Sequence, residues 1–473
     1  MTRRGPIAAA IAVMVCAGFV PALAGIGAGA TVIADGVFHT DLHAAYIGPA
    51  FGTSRVPGTC GFLHCYTPQE IQQGYNYNPA YAAVGGYAHA GAGQTIVIFD
   101  AFGDPNVTGD LAVFDTVFGL PPATINVICP AGCPTLDLTG DTSLSLDEIG
   151  WTQEISLDTQ YSHAMAPAAT IDLVVAHSDN NSDFVVAEQY ALTHHLGNIW
   201  SQSFGTPECT FTPGSSSPWF AQNNKIYQTA ALERVTVFAS AGDLGATSGC
   251  AAPSSAYPAD NPLNIAVAGT YLSLGFAANA TVSSPLQSAP ASYSFETAWN
   301  DFENANLVSH GTLFGVTGGA PSSDFIAPIW QLAHKTTPYT CTGGTPSSCS
   351  AGTPFHSLGK VSADVAYDAG VDGGVIGYYS ASPALAAGFY IFGGTSAGSP
   401  QWAAIAAIAD QLAHTALGDV APILYLLSGT PSLHDIVVGS NAFEPGSGFV
   451  ATPGWDATTG VGSPNVGALL AHI

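Results

Sequence analysis

The chain has 473 residues, enough for one large domain or two to three ordinary ones, and no evident repeat divides it, which favours one large unit. Only 8% of the residues are charged, and 33 acidic against 7 basic side chains give a formal net charge of −26. This charge makes nucleic acid and anionic membranes poor partners. Many carboxyl groups become neutral in acid, so the composition suits an acidic exterior. It equally fits a secreted protein made soluble by Ser, Thr, Asn and Gly.

The first 24 residues are typical of a signal peptide. Arg3 and Arg4 precede an apolar run over residues 7–20, and small residues lead to an expected cut after Ala24. The run is too short for a membrane anchor, and no later stretch reaches roughly 18 consecutive apolar residues. We therefore expect a secreted, extracellular protein, with the export route left open by the paired arginines.

Cysteine usage agrees with export. Cys16 leaves with the signal peptide, and the other eight cysteines fall into close or plausible pairs. The expected pairs are Cys60–Cys65, Cys129–Cys133, Cys341–Cys349 and, left for each other, Cys209–Cys250. Eight cysteines permit about 105 connectivities, so the sequence alone does not prove this one. Zinc binding is the weaker interpretation, because the Cys129 and Cys133 spacing has no matching second pair.

Helix and strand patterns alternate after an N-terminal extension over residues 25–66. A cap at Thr67 followed by Pro68 starts the first helix. Strands are predicted over residues 94–99, 170–176, 198–204, 235–240 and 264–268, and helices over 183–197 and 219–234. This alternation predicts an α/β fold with a doubly wound, mostly parallel sheet that helices cover on both faces. Residues 271–360 are predicted to be mainly loops.

Polar residues collect where the predicted strands end. Asp100 ends one strand, residues 203–205 close another, and Asp243 follows a third. Chemistry in parallel sheets gathers at the carboxyl ends of the strands. We therefore expect these residues at one edge of the sheet.

A glycine-rich turn delivers Ser396 to the start of a helix. Gly393 and Gly394 precede Thr395, and a run of small apolar residues begins after Pro400. A serine hydroxyl is a weak nucleophile that needs a neighbouring base and donors for the developing oxyanion, and N–H groups at a helix start are such donors. A serine in this position is also commonly a helix cap, so the turn alone does not decide.

A second stretch, residues 150–165, is predicted as a helix that carries Glu154 and Asp158 on one face, four residues apart. Two such carboxylates disfavour joint ionisation, so one pKa rises and the group can hold or accept a proton in acid. A solvated acidic face is the alternative. The apolar neighbours Trp151 and Ile155 argue against it.

These stretches stand in the same order as the motifs of the sedolisin family, the serine-carboxyl peptidases, which the chain resembles over roughly residues 67–473. The matching segments are residues 154–158, 164–167, 201–205 with Glu208, 240–243, 257–259, 266–270, Glu296 with Trp299, 364–366, 394–396 with Pro400, 435–436, 454–456 and 459–460. The resemblance implies a subtilisin-like fold in a secreted, acid-acting peptidase with polypeptide substrates. We expect a monomer that binds neither nucleic acid nor membrane.

The resemblance also implies the role of each candidate catalytic residue. Ser396 is the nucleophile, Glu154 its general base and later general acid, and Asp158 the carboxyl that orients Glu154. Asp243 completes the oxyanion hole, and Asp100 matches an acid that extends the proton chain in some members. In acid an imidazole is already protonated, whereas a hydrogen-bonded glutamate can still accept a proton.

A calcium site is implied at the C-terminal loop. Its expected ligands are the side chains of Asp435 and Asp456 and the main-chain carbonyls of Ile436, Thr452 and Gly454. Oxygen ligands from a looping backbone suit this hard cation. Thr452 stands where glycine is common in the family, but a carbonyl ligand tolerates that exchange.

Two departures from the family pattern are visible. Ala268 replaces a usual glycine. The family usually carries a long folded prodomain, whereas only residues 25–66 separate the predicted signal peptide from the matching region. The route of activation is therefore the feature that the resemblance leaves open.

Two other functions fit parts of the pattern. Asp100, His310 and Ser396 stand in an order that a subtilisin-type triad allows, but their spacing is wrong for it. A secreted binding protein without catalysis could keep the same fold. The sequence leaves subsite preference, endopeptidase against tripeptidyl-peptidase action, and glycosylation at Asn106, Asn180 and Asn279 open.

Overall fold

The computed structural model describes residues 37–49, 56–211, 218–284, 286–342, 348–443 and 445–472. The predicted signal peptide lies outside these described residues. The α-helices are α1 (Pro68–Gly74), α2 (Asn78–Ala83), α3 (Val107–Phe118), α4 (Ser143–Met165), α5 (Asn181–His194), α6 (Pro218–Leu232), α7 (Ala305–His310), α8 (Ile329–Leu332), α9 (Gly398–Ala413), α10 (Ala421–Leu426) and α11 (Val466–Leu470).

The strands begin in the N-terminal extension and continue to the C-terminal loop. They are β1 (His39–Thr40), β2 (His43–Gly48), β3 (Thr59–Cys60), β4 (Leu63–Tyr66), β5 (Thr95–Ala101), β6 (Thr124–Ile128), β7 (Thr170–Ala176), β8 (Ile199–Gln202), β9 (Phe204–Pro207), β10 (Thr236–Ser240), β11 (Ala256–Tyr257), β12 (Ile265–Phe276), β13 (Ala291–Ala298), β14 (Pro321–Ile326), β15 (Pro338–Cys341), β16 (Cys349–Ala351), β17 (Gly359–Val361), β18 (Val365–Asp368), β19 (Gly374–Tyr379), β20 (Gly388–Gly393), β21 (Leu433–His434), β22 (Gly446–Phe449) and β23 (Ser463–Pro464).

A large, mostly parallel sheet forms the centre of the fold. Its strand order is β13-β12-β10-β8-β5-β7-β6, and β18 also pairs with β12. The pairs run parallel except β12 with β13. The inner strands β5 and β10 are buried along almost their whole length, as expected for strands that helices cover on both faces. The predicted α/β architecture is confirmed.

Helix α4 begins at Ser143, well before the predicted start at Gly150. Thr142 causes the earlier start. Its hydroxyl accepts the Ser145 N–H at 3.0 Å, and the Ser145 hydroxyl oxygen accepts the Thr142 N–H at 3.0 Å. This reciprocal capping box satisfies N–H groups that a helix start leaves free.

The prediction of loops over residues 271–360 is wrong in part. This region holds β13 to β17 and the helices α7 and α8. Several of these strands lie at sheet edges and alternate irregularly between buried and exposed positions, as in β13. Their Ser- and Thr-rich sequences therefore lack the strong apolar pattern of a buried strand.

A second sheet, with the order β2-β20-β19-β4-β3, positions the turn that holds Ser396. The antiparallel pair β19 and β20 leads to Gly393, at the start of that turn. Strand β2 pairs antiparallel with β20, and β1 pairs antiparallel with β9. Described residues of the N-terminal extension therefore take part in the sheets of the body.

All of the expected cysteine pairs are bonded. The disulfides join Cys60 to Cys65, Cys129 to Cys133, Cys209 to Cys250 and Cys341 to Cys349. Among the described helices, none combines the length and apolar character needed to cross a membrane.

Tyr75, which follows α1, ties that helix to the central sheet. Its hydroxyl donates to Glu296 on β13 at 2.6 Å and accepts the backbone N–H of Asp368 on β18 at 2.9 Å. Its ring is fully buried and lies 4.2 Å from the Tyr367 ring, centre to centre. A buried polar group that loses its hydrogen-bond partner costs free energy of unfolding, so the Tyr75 hydroxyl should stabilise the contact between α1 and the central sheet.

Replacing Tyr75 with Phe should lower the free energy of unfolding by about 1–3 kcal/mol, because Glu296 and the Asp368 N–H lose a partner away from water. Urea denaturation followed by tryptophan fluorescence measures the change. Tyr190→Phe makes the same change at a partly exposed site and should stay within about 0.5 kcal/mol of the parent chain. Equal stability of the two variants would contradict the role of the Tyr75 hydroxyl.

Candidate active site

Ser396 lies in the turn between β20 and α9. Residues Thr395–Ala397 form a single 3-10 turn, and α9 begins at Gly398. Gly394 has a φ of 103°, a conformation that favours glycine. A methyl group there would also collide with the Asp41 carbonyl oxygen and lie 2.6 Å from Asp243 Oδ2. Glycine is thus required both by the turn and by the space beside the serine.

Helix α4 presents Glu154 to this turn. The Glu154 side chain is fully buried, and neither of its carboxyl oxygens has a well-aligned hydrogen bond within the described residues. Burial raises its pKa well above the ordinary value, and the carboxyls of Asp158 and Asp100 raise it further. The nearby Ser396 hydroxyl, as a hydrogen-bond donor to Glu154, lowers the pKa of Glu154 and so opposes this rise. A carboxyl that can exchange a proton therefore faces the serine.

The Ser396 hydroxyl is loosely held. Its aligned acceptor is the carbonyl oxygen of Ser203 at 3.5 Å, a long hydrogen bond. The same hydroxyl is near enough to influence Glu154. Catalytic hydrogen bonds are often long before the reacting complex forms. The Ser396 hydroxyl therefore has two acceptors nearby, the Ser203 carbonyl oxygen and the Glu154 carboxyl.

Asp158 connects Glu154 to the edge of the central sheet. The Ser203 hydroxyl, between β8 and β9, donates to Asp158 Oδ1 at 3.0 Å. Burial raises the pKa of Asp158 to about 8, against the opposing hydrogen bonds of Ser203 and Glu154. Asp100, near the end of β5, is fully buried; burial and then Asp158 raise its pKa well above the ordinary value. Glu154, Asp158 and Asp100 thus form one cluster, called here the carboxyl cluster.

Asp243 lies on the other side of the serine, in the loop after β10. Its Oδ1 accepts the backbone N–H and the hydroxyl of Thr395, both at 2.8 Å. Its Oδ2 lies 3.2 Å from His43 Nε2 and next to Gly394. Thr395 therefore fixes the orientation of Asp243 and leaves Oδ2 facing the space beside Ser396.

The structure brings the predicted residues Ser396, Glu154, Asp158 and Asp243 together, with Asp100 adjoining. It leaves His310 elsewhere. His310 is exposed at the end of α7, where Nδ1 lies 2.8 Å from the Asn306 carbonyl oxygen and the ring stacks on Phe62. This placement gives no support to the alternative triad of Asp100, His310 and Ser396.

Sequence reasoning missed two groups of residues at this site. Ser203 and Thr395 stood inside recognised motifs, but nothing in the pattern marked them as donors that orient Asp158 and Asp243. Asp41 and His43 belong to the Gly/Ala-rich extension, which carried no motif. Only the tertiary pairing of β1 and β2 reveals that this segment reaches the serine.

The C-terminal loop brings the predicted calcium ligands Asp435 and Asp456 to the same backbone. Asp435 accepts the Gly454 N–H at 3.0 Å, and Asp456 Oδ2 accepts the Thr452 N–H at 2.8 Å. Burial raises the pKa of Asp456 to about 7, whereas Asp435 is exposed. Ile436, the remaining predicted ligand, follows Asp435 directly. This set of hard oxygen donors fits calcium.

The fit of the C-terminal loop to calcium depends on main-chain carbonyl oxygens as additional ligands. Within the described part of the chain, no group of three or more His, Cys, Asp or Glu side chains could hold a metal. Two carboxyls cannot fill the six to eight positions around calcium, so carbonyl oxygens or water must supply the rest.

Comparison with known proteins supports the resemblance. Kumamolisin from Bacillus sp. (strain MN-32) is 28% identical over 404 residues, which cover 84% of this chain and 62% of the relative. Sedolisin from Pseudomonas sp. (strain 101) is 28% identical over 400 residues, covering 82% of this chain and 59% of the relative. The chain therefore spans about three fifths of the length of these two curated relatives. No protein-family model matches it.

The crystal structure of Pseudomonas sedolisin, a serine-carboxyl proteinase complexed with two molecules of pseudo-iodotyrostatin, superposes with a TM-score of 0.66 at 25% identity. The match covers 87% of this chain and 98% of the sedolisin chain. The fold is thus of the subtilisin-like α/β class, with a serine turn facing paired carboxyls. Within that class the chain is a relative of the sedolisin family.

The raised pKa of Asp158 predicts that the protein is most stable in acid. With a pKa of 3.8 when unfolded and about 8 when folded, this carboxyl is protonated in both states at low pH. As the pH rises from about 4 to about 8, the unfolded chain loses the proton while the folded chain keeps it, so the free energy of unfolding falls by up to about 1.4 kcal/mol per pH unit. Thermal unfolding across this range measures the decline.

Asp158→Asn removes this group and should flatten the decline. Asp141→Asn makes the same change at an exposed site and should leave the slope of the parent chain. If the parent chain, Asp158→Asn and Asp141→Asn all lost stability with pH at the same rate, Asp158 would not hold a proton in the folded protein over this range.

Proposed function

We propose that the chain is a secreted serine-carboxyl peptidase that hydrolyses peptide bonds of polypeptides in acid, as an endopeptidase or a tripeptidyl-peptidase. One observation carries the proposal: Glu154, backed by Asp158 and Asp100, faces the Ser396 hydroxyl in a fully buried site. The similarity to peptidases named kumamolisin and sedolisin supports it. The disulfides agree with an extracellular protein.

In the first step Ser396 Oγ attacks the carbonyl carbon of the substrate, and its proton passes to Glu154. Glu154 then gives the proton to the leaving nitrogen, the C–N bond breaks, and an ester on Ser396 remains. Water attacks this ester with Glu154 again as base, which releases the acid product and restores the serine.

Asp158 helps Glu154 to reach the protonation state that each step requires. In acid Asp158 keeps its own proton, so it adds no second charge beside Glu154 and can donate a hydrogen bond to the ionised Glu154 that serves as the base. Ser203 keeps Asp158 oriented through its hydroxyl. Asp100 extends the same chain of carboxyls into the sheet.

The negative charge of the intermediate develops on the substrate carbonyl oxygen. The backbone N–H of Ser396 and a protonated Asp243 supply two donors to that oxygen. Thr395 already engages Asp243 Oδ1, so Oδ2 is the oxygen that would carry the donated proton.

Ser396→Ala and Glu154→Gln should each lower the rate of hydrolysis of denatured protein at about pH 4 by at least about 10³-fold, because one lacks the nucleophile and the other the base. Release of acid-soluble peptides measures the rate. Asp141→Asn is the matched control, since its carboxyl is exposed and outside the site, and should retain the parent rate.

A rate of hydrolysis equal in all four proteins would refute the assignment. The full pH profile adds a second check: the proposed mechanism requires an optimum in acid, whereas a maximum near neutrality would indicate an imidazole base instead. A correctly folded chain with no hydrolysis at any pH would favour the silent binding protein.

We further propose that calcium binds the C-terminal loop through Asp435, Asp456 and the carbonyls of Ile436, Thr452 and Gly454. The convergence of both carboxyls on residues 452–454 supports this ligand set. The ion would lock the loop that follows Asp435 and leave the reacting atoms at Ser396 unaffected.

Removal of calcium with a chelator should lower the melting temperature by several degrees, because an ion that binds only the folded state stabilises that state. Differential scanning calorimetry with and without added calcium measures the shift. Asp435→Ala should abolish most of it, while Asp141→Ala, which removes another exposed carboxyl, should keep it. An unchanged melting temperature of the parent chain in chelator would contradict the site.

A further inference from the structure

A pocket of four aromatic rings lies close to the candidate active site. Its walls are the side chains of Phe184 on α5, Phe204 at the start of β9, Trp219 on α6 and Tyr257 on β11. Three of these residues are fully buried, whereas Trp219 is partly exposed. We call the four residues the aromatic pocket.

The ring of Phe38 fills the aromatic pocket. Its centroid lies 5.1 Å from that of Phe184, 4.8 Å from Phe204, 6.0 Å from Trp219 and 6.4 Å from Tyr257. The contacts with Phe184 and Trp219 are edge-to-face, an arrangement that aromatic pairs prefer. The walls therefore suit an aromatic ring better than an aliphatic side chain of similar size.

The backbone that carries Phe38 lies against its neighbours as an added strand. Strand β1, which follows Phe38, pairs antiparallel with β9. The N–H of Phe38 donates to the Asp179 carbonyl oxygen at 2.9 Å, and Val37 forms a bridge to Asn180. Extended peptides bind to a sheet edge through main-chain contacts of this kind and place side chains in pockets.

The position of Asp41 relates the aromatic pocket to the reacting atoms. Its carbonyl oxygen accepts the backbone N–H of Ser396 at 3.3 Å, and this oxygen and Asp243 Oδ2 both lie beside Gly394. The proposed function assigns these donors to the carbonyl oxygen of the bond that is cleaved. Residue 41 therefore stands where a substrate has the last residue before the cleaved bond.

Counting back from residue 41 gives the aromatic pocket a place in the substrate. Phe38 is the fourth residue before the bond that follows Asp41. A peptide that replaces residues 37–41, with its own carbonyl on the Ser396 N–H, puts its fourth residue before the cleaved bond into the aromatic pocket. We call this residue of a substrate the fourth position.

The contacts at the fourth position bear on the choice between the two peptidase types. A tripeptidyl-peptidase cuts after the third residue, so its substrate has no fourth position. The aromatic pocket and the main-chain contacts of Val37 and Phe38 all lie beyond that point. Only a substrate that continues past the third residue can use them, which favours an endopeptidase.

We propose that the aromatic pocket is a substrate-binding site that selects an aromatic residue at the fourth position, and that the chain is an endopeptidase for polypeptides with such a residue. This rests on the proposed peptidase function. The substrate lies on β9 as β1 does, with its ring between Phe184, Phe204 and Trp219. A polar side chain there loses its hydrogen bonds to water, and an alanine leaves most of the space unfilled.

The first part of the experiment uses the full chain at about pH 4 with a mixture of denatured proteins. Mass spectrometry of the products locates the cleaved bonds, and Phe, Tyr and Trp should be enriched at the fourth position. An octapeptide from a rapidly cleaved site, with four residues on each side of the bond, is then acetylated and internally quenched. With Phe at the fourth position, kcat/KM should be about 10- to 100-fold higher than with Ala or Asn.

The second part removes one wall of the aromatic pocket. Trp219→Ala should bring the ratio of kcat/KM between the Phe and Ala peptides close to one, whereas Trp219→Phe keeps a ring and should retain most of the preference. Trp330→Ala is the matched control, because it removes another partly exposed tryptophan that packs in a different hydrophobic cluster. It should keep the preference of the parent chain. Thermal unfolding shows whether each variant is folded.

The outcomes separate this inference from the proposed function. Equal kcat/KM for the Phe, Ala and Asn peptides in the parent chain would overturn the inference and leave the peptidase standing, and this comparison needs no variant. Release of tripeptides from free N-termini, with the acetylated peptides uncut, would overturn it in favour of a tripeptidyl-peptidase. Equal loss of preference in Trp219→Ala and Trp330→Ala would contradict the role of the pocket. If no protein or peptide is cut, both proposals fail together.

Discussion

The site depends on one constraint: Glu154, Asp158 and Asp100 are all placed where water does not reach. Ionising several carboxyls in such a place is too costly, so burial and mutual repulsion favour their protonated forms. The contacts around them fit this condition, because Ser203 offers Asp158 a neutral hydroxyl. Elsewhere in the fold a buried carboxyl is paired with a cation instead, Asp364 with Lys360. The carboxyl cluster is therefore built to hold protons.

This constraint also explains why the parts of the fold are arranged as they are. Helix α4 brings two carboxyls into the interior because it is buried along most of its length and packs against β5, β19 and α9. The serine comes from the opposite direction, on a turn whose glycine leaves space for a backbone oxygen. The sheet sets the distance between these two elements, so the chemistry of the site is determined by packing far from the reacting atoms.

Much of this arrangement could be predicted from the sequence, because it rests on local patterns. Apolar runs marked β5, β7 and β10, and the spacing of Glu154 and Asp158 placed both on one helix face. The helix start at Thr142 was missed because its capping box uses serine in place of glutamate. The short strands after Tyr271 were missed because edge strands bury little apolar surface. The pairing of β1 and β2 with β9 and β20 could not be predicted at all, since nothing in their Gly/Ala-rich surroundings indicates contact with residues far along the chain.

Electrostatic repulsion links Asp41, between β1 and β2, to the carboxyl cluster. Burial and the facing carboxyl of Asp243 raise the pKa of Asp41 well above its ordinary value, against the Ser240 hydrogen bond. The other facing groups are Glu154 on α4 and His43 on β2. A raised pKa means that the buried position of the Asp41 carboxyl is favoured at low pH and weakens as the pH rises through that pKa. The residues around Asp41 are therefore held most firmly in acid.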